Sequence, residues 1–383
     1  MTRARRAISS LAAGLVLLWA TGAAAAAITV VNLDGSGEGF NDPTPAVPVG
    51  GNDGTTLGAQ RLKVFEFVAG VWGARLQSSV EIRVDSKFDP LTCGPTSAVL
   101  GSAGTQTVHR DFNGALLAGT WYPQALANAL AGTDLNASTD DIIATFNSSI
   151  GTTCAFPNTW YHGLDGNPPP GQIDLASVVL HEMGHGLGFA SFVDLASGAE
   201  FQGRDDAYSF NLEDHSTAKI YPDMSDAERV SASLDTGNLH WVGPVVVAGS
   251  SSLSAGVGAG GHVEMYAPNP AQPGSSVSHF STSLFPNELM EPSYTGANHN
   301  VERTLDLFSD IGWTVIDPVL CGDATHDGSI TSTDGLGALD TSVGTGNCGV
   351  SVCDVNSTMA VTATDALLIL QYSVGQPVTL TCP

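Results

Sequence analysis

Residues 178–189 read VVLHEMGHGLGF, and within them His181, Glu182 and His185 are spaced for chemistry. On a helix, side chains four residues apart share a face about one turn from each other. Two such imidazoles can hold one Zn²⁺ at about 2.0–2.1 Å. Glu182, beside the first of them, is then placed to take a proton from water activated at the metal. A buried helix can also carry two histidines for packing alone. Here the apolar run before the motif, the glycines after it and the signs of export favour zinc. A catalytic zinc takes three protein ligands and keeps one position for water. The compact arrangement, with a third histidine ten residues after His181, is absent because residue 191 is a serine. His215, His240, His262, His279 and His299 stay open as third ligands, with Asp205 and Asp206 as carboxylate options.

The motif needs a helix to carry it. Pro168-Pro169-Pro170-Gly171 halts any strand before it, Asp174 suits an N-cap, and Gly186 or Gly188 suits the end. Upstream, Leu62, Phe65, Val68, Ala69 and Trp72 predict a long helix over 57–76. Val80, Ile82 and Val84 alternate as in a half-buried strand. A short helix is expected around Pro123, and strands at 140–149 and 159–166. Residues 28–56 open with a β-like ITVVNL and then become a Gly/Pro/Asp-rich loop. Between 190 and 275, Val245-Val246-Val247 and His262-Val263-Glu264-Met265-Tyr266 read as β-like. The Gly/Ser/Ala-rich 249–261 reads as a mobile loop. This stretch shapes a substrate cleft or decorates the surface.

Composition narrows the setting. A chain of 383 residues has room for two or three domains. Arg3, Arg5 and Arg6, an apolar run from Ile8 to Trp19 and small residues at Ala24 to Ala27 form a signal peptide over 1–27, with cleavage expected near Ala27. The apolar run is too short for a membrane anchor, and no second stretch spans a bilayer. The protein is therefore expected to be secreted or cell-surface associated. The formal charge of −25 opposes nucleic acid and anionic membranes as partners. Six cysteines in an exported chain imply disulfides. Cys93 with Cys154 is the economical pairing; Cys321, Cys348, Cys353 and Cys382 allow three connectivities.

Residues 276–313 contain Ser278-His279-Phe280, Glu288-Leu289-Met290-Glu291-Pro292 and Asp310-Ile311-Gly312-Trp313. Together with the HEMGHGLGF run, these resemble the C-terminal part of leishmanolysin-type metzincins, in which an insertion separates the zinc helix from a third histidine. The resemblance implies that His279 is the third zinc ligand and Met290 the Met-turn residue, a polarisable apolar floor under the imidazoles. It implies a metzincin-like α+β catalytic domain over 28–316, with an insertion at about 190–275. The likeness is loose before residue 140 and weak inside the insertion, and no long pro-segment or inhibitory cysteine accompanies it. Tyr294 is a candidate for stabilising the oxyanion or for packing.

Beyond Asp317-Pro318 an internal repeat begins: TSTDGLGAL at 331–339 returns as TATDALLIL at 362–370. An EF-hand-like loop precedes each copy. Asp323, Thr325, Asp327, Ser329 through its backbone, Thr331 and Asp334 take the ligand positions of the first, with Gly328 at the turn. In the second, Asp354, Asn356, Thr358, Thr362 and Asp365 take the side-chain positions, and Met359 replaces the glycine. The paired loop–helix units resemble dockerin modules, which bind Ca²⁺ and dock onto cohesin partners; residues 319–383 are then a small α-helical calcium-binding domain. Packing of the repeat on itself is the plainer alternative.

Two functions are compatible with these features. One is a secreted zinc-dependent metalloendopeptidase acting on protein or peptide substrates, with Glu182 as general base. The other is a non-catalytic surface or adhesion protein with structural zinc and calcium sites. The intact Glu182 favours the first, since a structural site needs no base.

Overall fold

Ala26 is buried, and its N–H is shared between the Gly73 and Leu76 carbonyls. The computed structural model describes residues 25–316, 320–325, 329–346 and 348–382. Most of the expected leader, the Asp317-Pro318 linker, and Asp327 with Gly328 lie outside the described residues.

Strand β1 (Ile28–Asn32) pairs in parallel with β2 (Ile82–Asp89), and helix α1 (Leu57–Arg75) makes the crossover. Thr56 caps α1 by accepting the Ala59 N–H, and Val64, Phe65, Val68 and Trp72 on its inner face are fully buried. Buried residues alternate with half-buried ones along β2, as a strand with one covered face requires. Strand β3 (Gly101–Thr105) is followed by the short pair β4 (Val108–His109) and β5 (Tyr122–Pro123), then α2 (Gln124–Ala131) and β6 (Ile142–Asn147). The main sheet runs β1-β2-β6-β3, with β3 the antiparallel edge. Phe40, Phe65, Phe88 and Phe146 interlock at its covered face, with neighbouring ring centroids 4.8–6.0 Å apart. Cys93 is bonded to Cys154, as expected.

Strands β7 (Thr159–Tyr161) and β8 (Gln172–Asp174) pair in parallel and lead into α3 (Leu175–Leu187). The Trp72 indole N–H, on α1, donates to the Leu180 carbonyl of α3 at 3.3 Å. Within the insertion, β9 (Leu212–Asp214), β10 (Lys219–Ile220), α4 (Asp226–Ala232), β11 (Leu239–Trp241), α5 (Pro244–Gly249) and β12 (Val263–Glu264) build a second sheet, ordered β10-β9-β11-β12. The β-like reading of Val245-Val246-Val247 is corrected: they lie in α5, where Pro244 opens the helix at a position that needs no N–H. Residues 249–261 contain two 3₁₀ turns, and the Gly258 N–H is bonded to the His262 carbonyl. Helix α6 (Glu302–Ile311) closes this core, with Phe308 5.4 Å from Trp72 and the Trp313 indole donating to the Leu187 carbonyl.

A separate small core joins Ala338, Val352, Cys353, Val355, Ala366 and Ile369. It is built from α7 (Ser332–Ser342), α8 (Val350–Cys353) and α9 (Ala363–Ser373), and the repeat places α7 against α9. Each repeat helix opens with a capping box, Thr331 with Asp334 and Thr362 with Asp365. Of the open connectivities, the chain adopts Cys321–Cys382 and Cys348–Cys353. The molecule is thus a mixture of helix and sheet. Among the described residues, no helix is long and apolar enough to cross a membrane.

Candidate metal centre

Helix α3 starts where the sequence places it. Asp174 is its N-cap, accepting from the Ser177 N–H at 2.8 Å, and Gly188 is its C-cap. Asp174 also takes the Ser177 hydroxyl at 2.6 Å and His299 Nε2 at 2.7 Å, which assigns His299 to the helix entry. His181 and His185 then project from one face of α3.

His279 joins them. The three Nε2 atoms form a triangle with every side 3.1 Å. Ligands at 2.0–2.1 Å on a tetrahedron stand about 3.3–3.4 Å apart, so the triangle fits a zinc-sized ion after a small expansion. Each Nδ1 contacts a backbone carbonyl: Leu289 for His181 and Phe189 for His185, both at 2.8 Å, and Ser275 for His279 at 2.7 Å. A carbonyl only accepts, so each Nδ1 carries the proton and each Nε2 presents a lone pair. Three lone pairs facing one point repel one another unless a cation sits there. Burial works in the same direction, lowering His181, taking His185 down to about 3 and His279 well below the usual imidazole range; the neighbouring rings add to this for the last two. The donor set and its orientation fit a divalent metal.

Glu182 lies on the same turn, buried under β3. A Cβ at Gly101 would stand 2.8 Å from Glu182 Cγ, so a side chain there displaces Glu182. Burial pushes the Glu182 carboxyl up to about 8, and the Ala103 N–H offsets part of that rise. Met290 is fully buried on the other side of α3: a Cβ at Gly184 would meet its Sδ at 2.8 Å. Its carbonyl accepts the Phe280 N–H at 2.9 Å, tying the Met290 loop to the residue after His279. Tyr294 accepts the Asp174 N–H at 3.0 Å through its hydroxyl, a contact that anchors the same loop to the start of α3.

The centre opens into a cleft of about 1130 Å³. Residues 96–103 form one wall, and segments around 190–196, 271–279 and 288–298 form the others. Since Asn147 N–H bonds the Leu100 carbonyl, the antiparallel alternation turns the backbone groups of Gly101 and Ala103 away from β6.

The other candidates for the third ligand are accounted for elsewhere. Asp206 is buried and accepts from the Phe192 N–H at 2.8 Å, the Ser209 N–H at 2.8 Å and hydroxyl at 2.9 Å, and the Ser191 hydroxyl at 3.4 Å. Burial raises its carboxyl to about 6. The Asp205 backbone carbonyl accepts the Trp121 N–H at 2.9 Å, and its carboxylate is not in the group that converges with His181, His185 and His279. The Ser191 hydroxyl faces Asp206 and Ser209 Oγ, and its N–H donates to Ser278 Oγ at 3.1 Å, fixing the residue before His279. His215, His240 and His262 gather on the insertion sheet.

The C-terminal loops are arranged differently. Asp334 accepts from the N–H and hydroxyl of both Thr325 and Thr331 at 2.7–2.9 Å, and Thr325 also donates to Asp323 at 3.3 Å. Ser329 lies at a bend ahead of Thr331. Asp354 accepts from Thr358 at 2.9 Å and from the Met359 N–H at 2.5 Å, and Asp365 Oδ2 accepts from the Thr362 N–H and hydroxyl. Met359 sits at φ +66, the left-handed turn position where the loop pattern asks for glycine. Among the described residues, no three carboxylates of these loops converge. Asn356 Oδ1 and Asp365 Oδ1 are nevertheless buried with no hydrogen-bond donor.

Compared with protein-family models, with curated proteins and with solved structures, the chain finds no match in any of the three.

Proposed function

We propose that this chain is a secreted zinc-dependent metalloendopeptidase of metzincin type, with His181, His185 and His279 holding Zn²⁺ and Glu182 acting as general base. The observation that carries the reading is a buried carboxylate on the same turn as three convergent imidazole lone pairs, at the floor of an open cleft. Zinc bound there supplies Lewis acidity, polarising a peptide carbonyl and acidifying water. Glu182 takes a proton from the attacking water and returns it to the leaving amine. Its burial beneath β3 holds it beside the three imidazoles. The outward backbone groups of Gly101 and the Ala103 carbonyl give an extended peptide an edge to pair with. Met290, packed at Gly184, supports α3 from below as the leishmanolysin resemblance leads one to expect. A non-catalytic protein has no use for a carboxylate buried beside its metal, since burying it costs stability without return.

For residues 319–383 the proposed role is that of a dockerin-like module binding Ca²⁺, with a cohesin-like surface as partner. The packed repeat helices and the two donor-less oxygens of the second loop support it.

The test is proteolysis of casein by the mature chain. Turnover that disappears with chelator and returns with added Zn²⁺ is the expected result. A folded, zinc-loaded chain that leaves casein intact overturns the proposal.

A further inference from the structure

We propose that the insertion carries a second transition-metal site, formed by Glu213, His215 and His262, which takes Zn²⁺ or another late first-row divalent ion. Nothing in the peptidase reading uses these residues, and the inference stands whether or not that reading holds.

The ends of the insertion strands bring them together. On β11, His240 stands opposite Glu213 of β9 on one side and Glu264 of β12 on the other. His215 lies just after β9 and His262 just before β12, and their rings meet with centroids 5.1 Å apart. His215 Nε2 lies 2.9 Å from His262 Nδ1, and Glu213 Oε1 lies 3.4 Å from the first and 4.0 Å from the second. Three donors from three positions in the chain therefore face one small volume.

The chemistry selects the ion. Two imidazole nitrogens with one carboxylate suit zinc and its neighbours, whereas Ca²⁺ asks for about six to eight oxygens. The three side chains keep 20–26 % of their surface exposed, so an ion can enter and retain water. His240 is not a donor to this point. Its ring lies parallel to His215 at 3.7 Å, and its Nδ1–H is given to the Asn238 carbonyl at 2.9 Å, which holds the His215 plane in position.

An ion here ties β9 to β12, and the continuation of β12 holds the third histidine of the catalytic centre. The Ser281 N–H bonds the Glu264 carbonyl and the Tyr266 N–H bonds the His279 carbonyl, both at 2.9 Å. The second site is a clamp on the strand that presents His279. The simpler rival is a hydrogen bond between the two imidazoles with Glu213 as ion partner.

Metal analysis of the full chain separates the two, in a buffer with excess Ca²⁺ so that the C-terminal loops hold no zinc. The parent, equilibrated with Zn²⁺ and freed of unbound ion, should retain two zinc per chain, and His215→Gln with His262→Gln should retain one. A His181→Ala, His185→Ala chain should keep one zinc, and that zinc should raise its Tm by several degrees. Circular dichroism checks that each variant folds. A folded His181→Ala, His185→Ala chain with no zinc overturns the proposal, and so does a parent whose zinc content is unchanged by His215→Gln with His262→Gln.

Discussion

Three imidazoles that each give their Nδ1 proton to a carbonyl cannot hydrogen-bond to one another through Nε2. That is the difference between this centre and the His215–His262 contact, which a shared proton also explains. It makes His279 the residue to test first. His279→Ala should weaken zinc binding by more than the roughly 10–100-fold that loss of an outer partner costs. Asp206→Asn should keep zinc but lower stability by about 1–3 kcal/mol, because its buried carboxylate serves backbone and hydroxyl donors. Zinc affinity and denaturation of both, side by side, decide the matter: tight zinc in His279→Ala with loss in Asp206→Asn reverses the assignment. Glu182→Gln should keep the metal and lower kcat by about 10²–10⁴-fold, the range for a lost general base; near-normal casein turnover in that zinc-loaded variant removes Glu182 from the mechanism. His181, Glu182 and His185 were legible because one helix carries all three. His279 lies 94 residues beyond His185, and periodicity has no reach over that distance; only the resemblance pointed there. The donors around Asp206 had no signature at all, since they come from loops.

Elements position these residues through glycines whose necessity shows only in packing. Strand β3 reads GSAGT, with Thr105 its single branched residue and no aromatic to mark a strand, so its sequence did not announce the edge of the cleft. Its first glycine is there because Glu182 occupies the space a side chain would need. Gly101→Val should therefore push Glu182 aside, lowering kcat strongly while zinc content and the circular dichroism spectrum stay as in the parent. Unchanged kcat would show that Glu182 does not need the clearance β3 gives it. Gly184 is the matching case below α3. Gly184→Ala forces a methyl against Met290 Sδ, and overpacking of this kind costs about 1–3 kcal/mol, read by chemical denaturation. Helix α1, the Asp174 cap and β2 were readable from spacing and end signals. Of the insertion sheet, only β12 was readable, within the β-like 262–266; its strands are two or three residues long, below the length at which alternation can be seen.

At the scale of the whole molecule, the described residues form two hydrophobic cores, one around α1, α3 and α6 and one within the repeat. The repeat in the sequence announced the second, because identical spacing of Thr, Asp and Leu demands identical loop–helix units. The sequence favoured the first loop for calcium on its carboxylates and turn glycine, whereas packing draws attention to the second. Asn356 Oδ1 and Asp365 Oδ1 are buried without a donor, and each such atom costs about 1–3 kcal/mol. A Ca²⁺ ion held by the proposed second loop would offset that cost. Ca²⁺ should accordingly raise the unfolding transition of the C-terminal core in the full chain, by about 2.7 kcal/mol at one hundred times its Kd. Asp365→Asn should abolish most of the second loop's share, while Asp323→Ala should remove the first loop's share and leave the rest. Mg²⁺ serves as the control, since it demands octahedral geometry that a loop with Met359 at its turn does not offer. If Ca²⁺ leaves the transition unmoved, water satisfies the two oxygens, and the repeat does no more than pack α7 against α9.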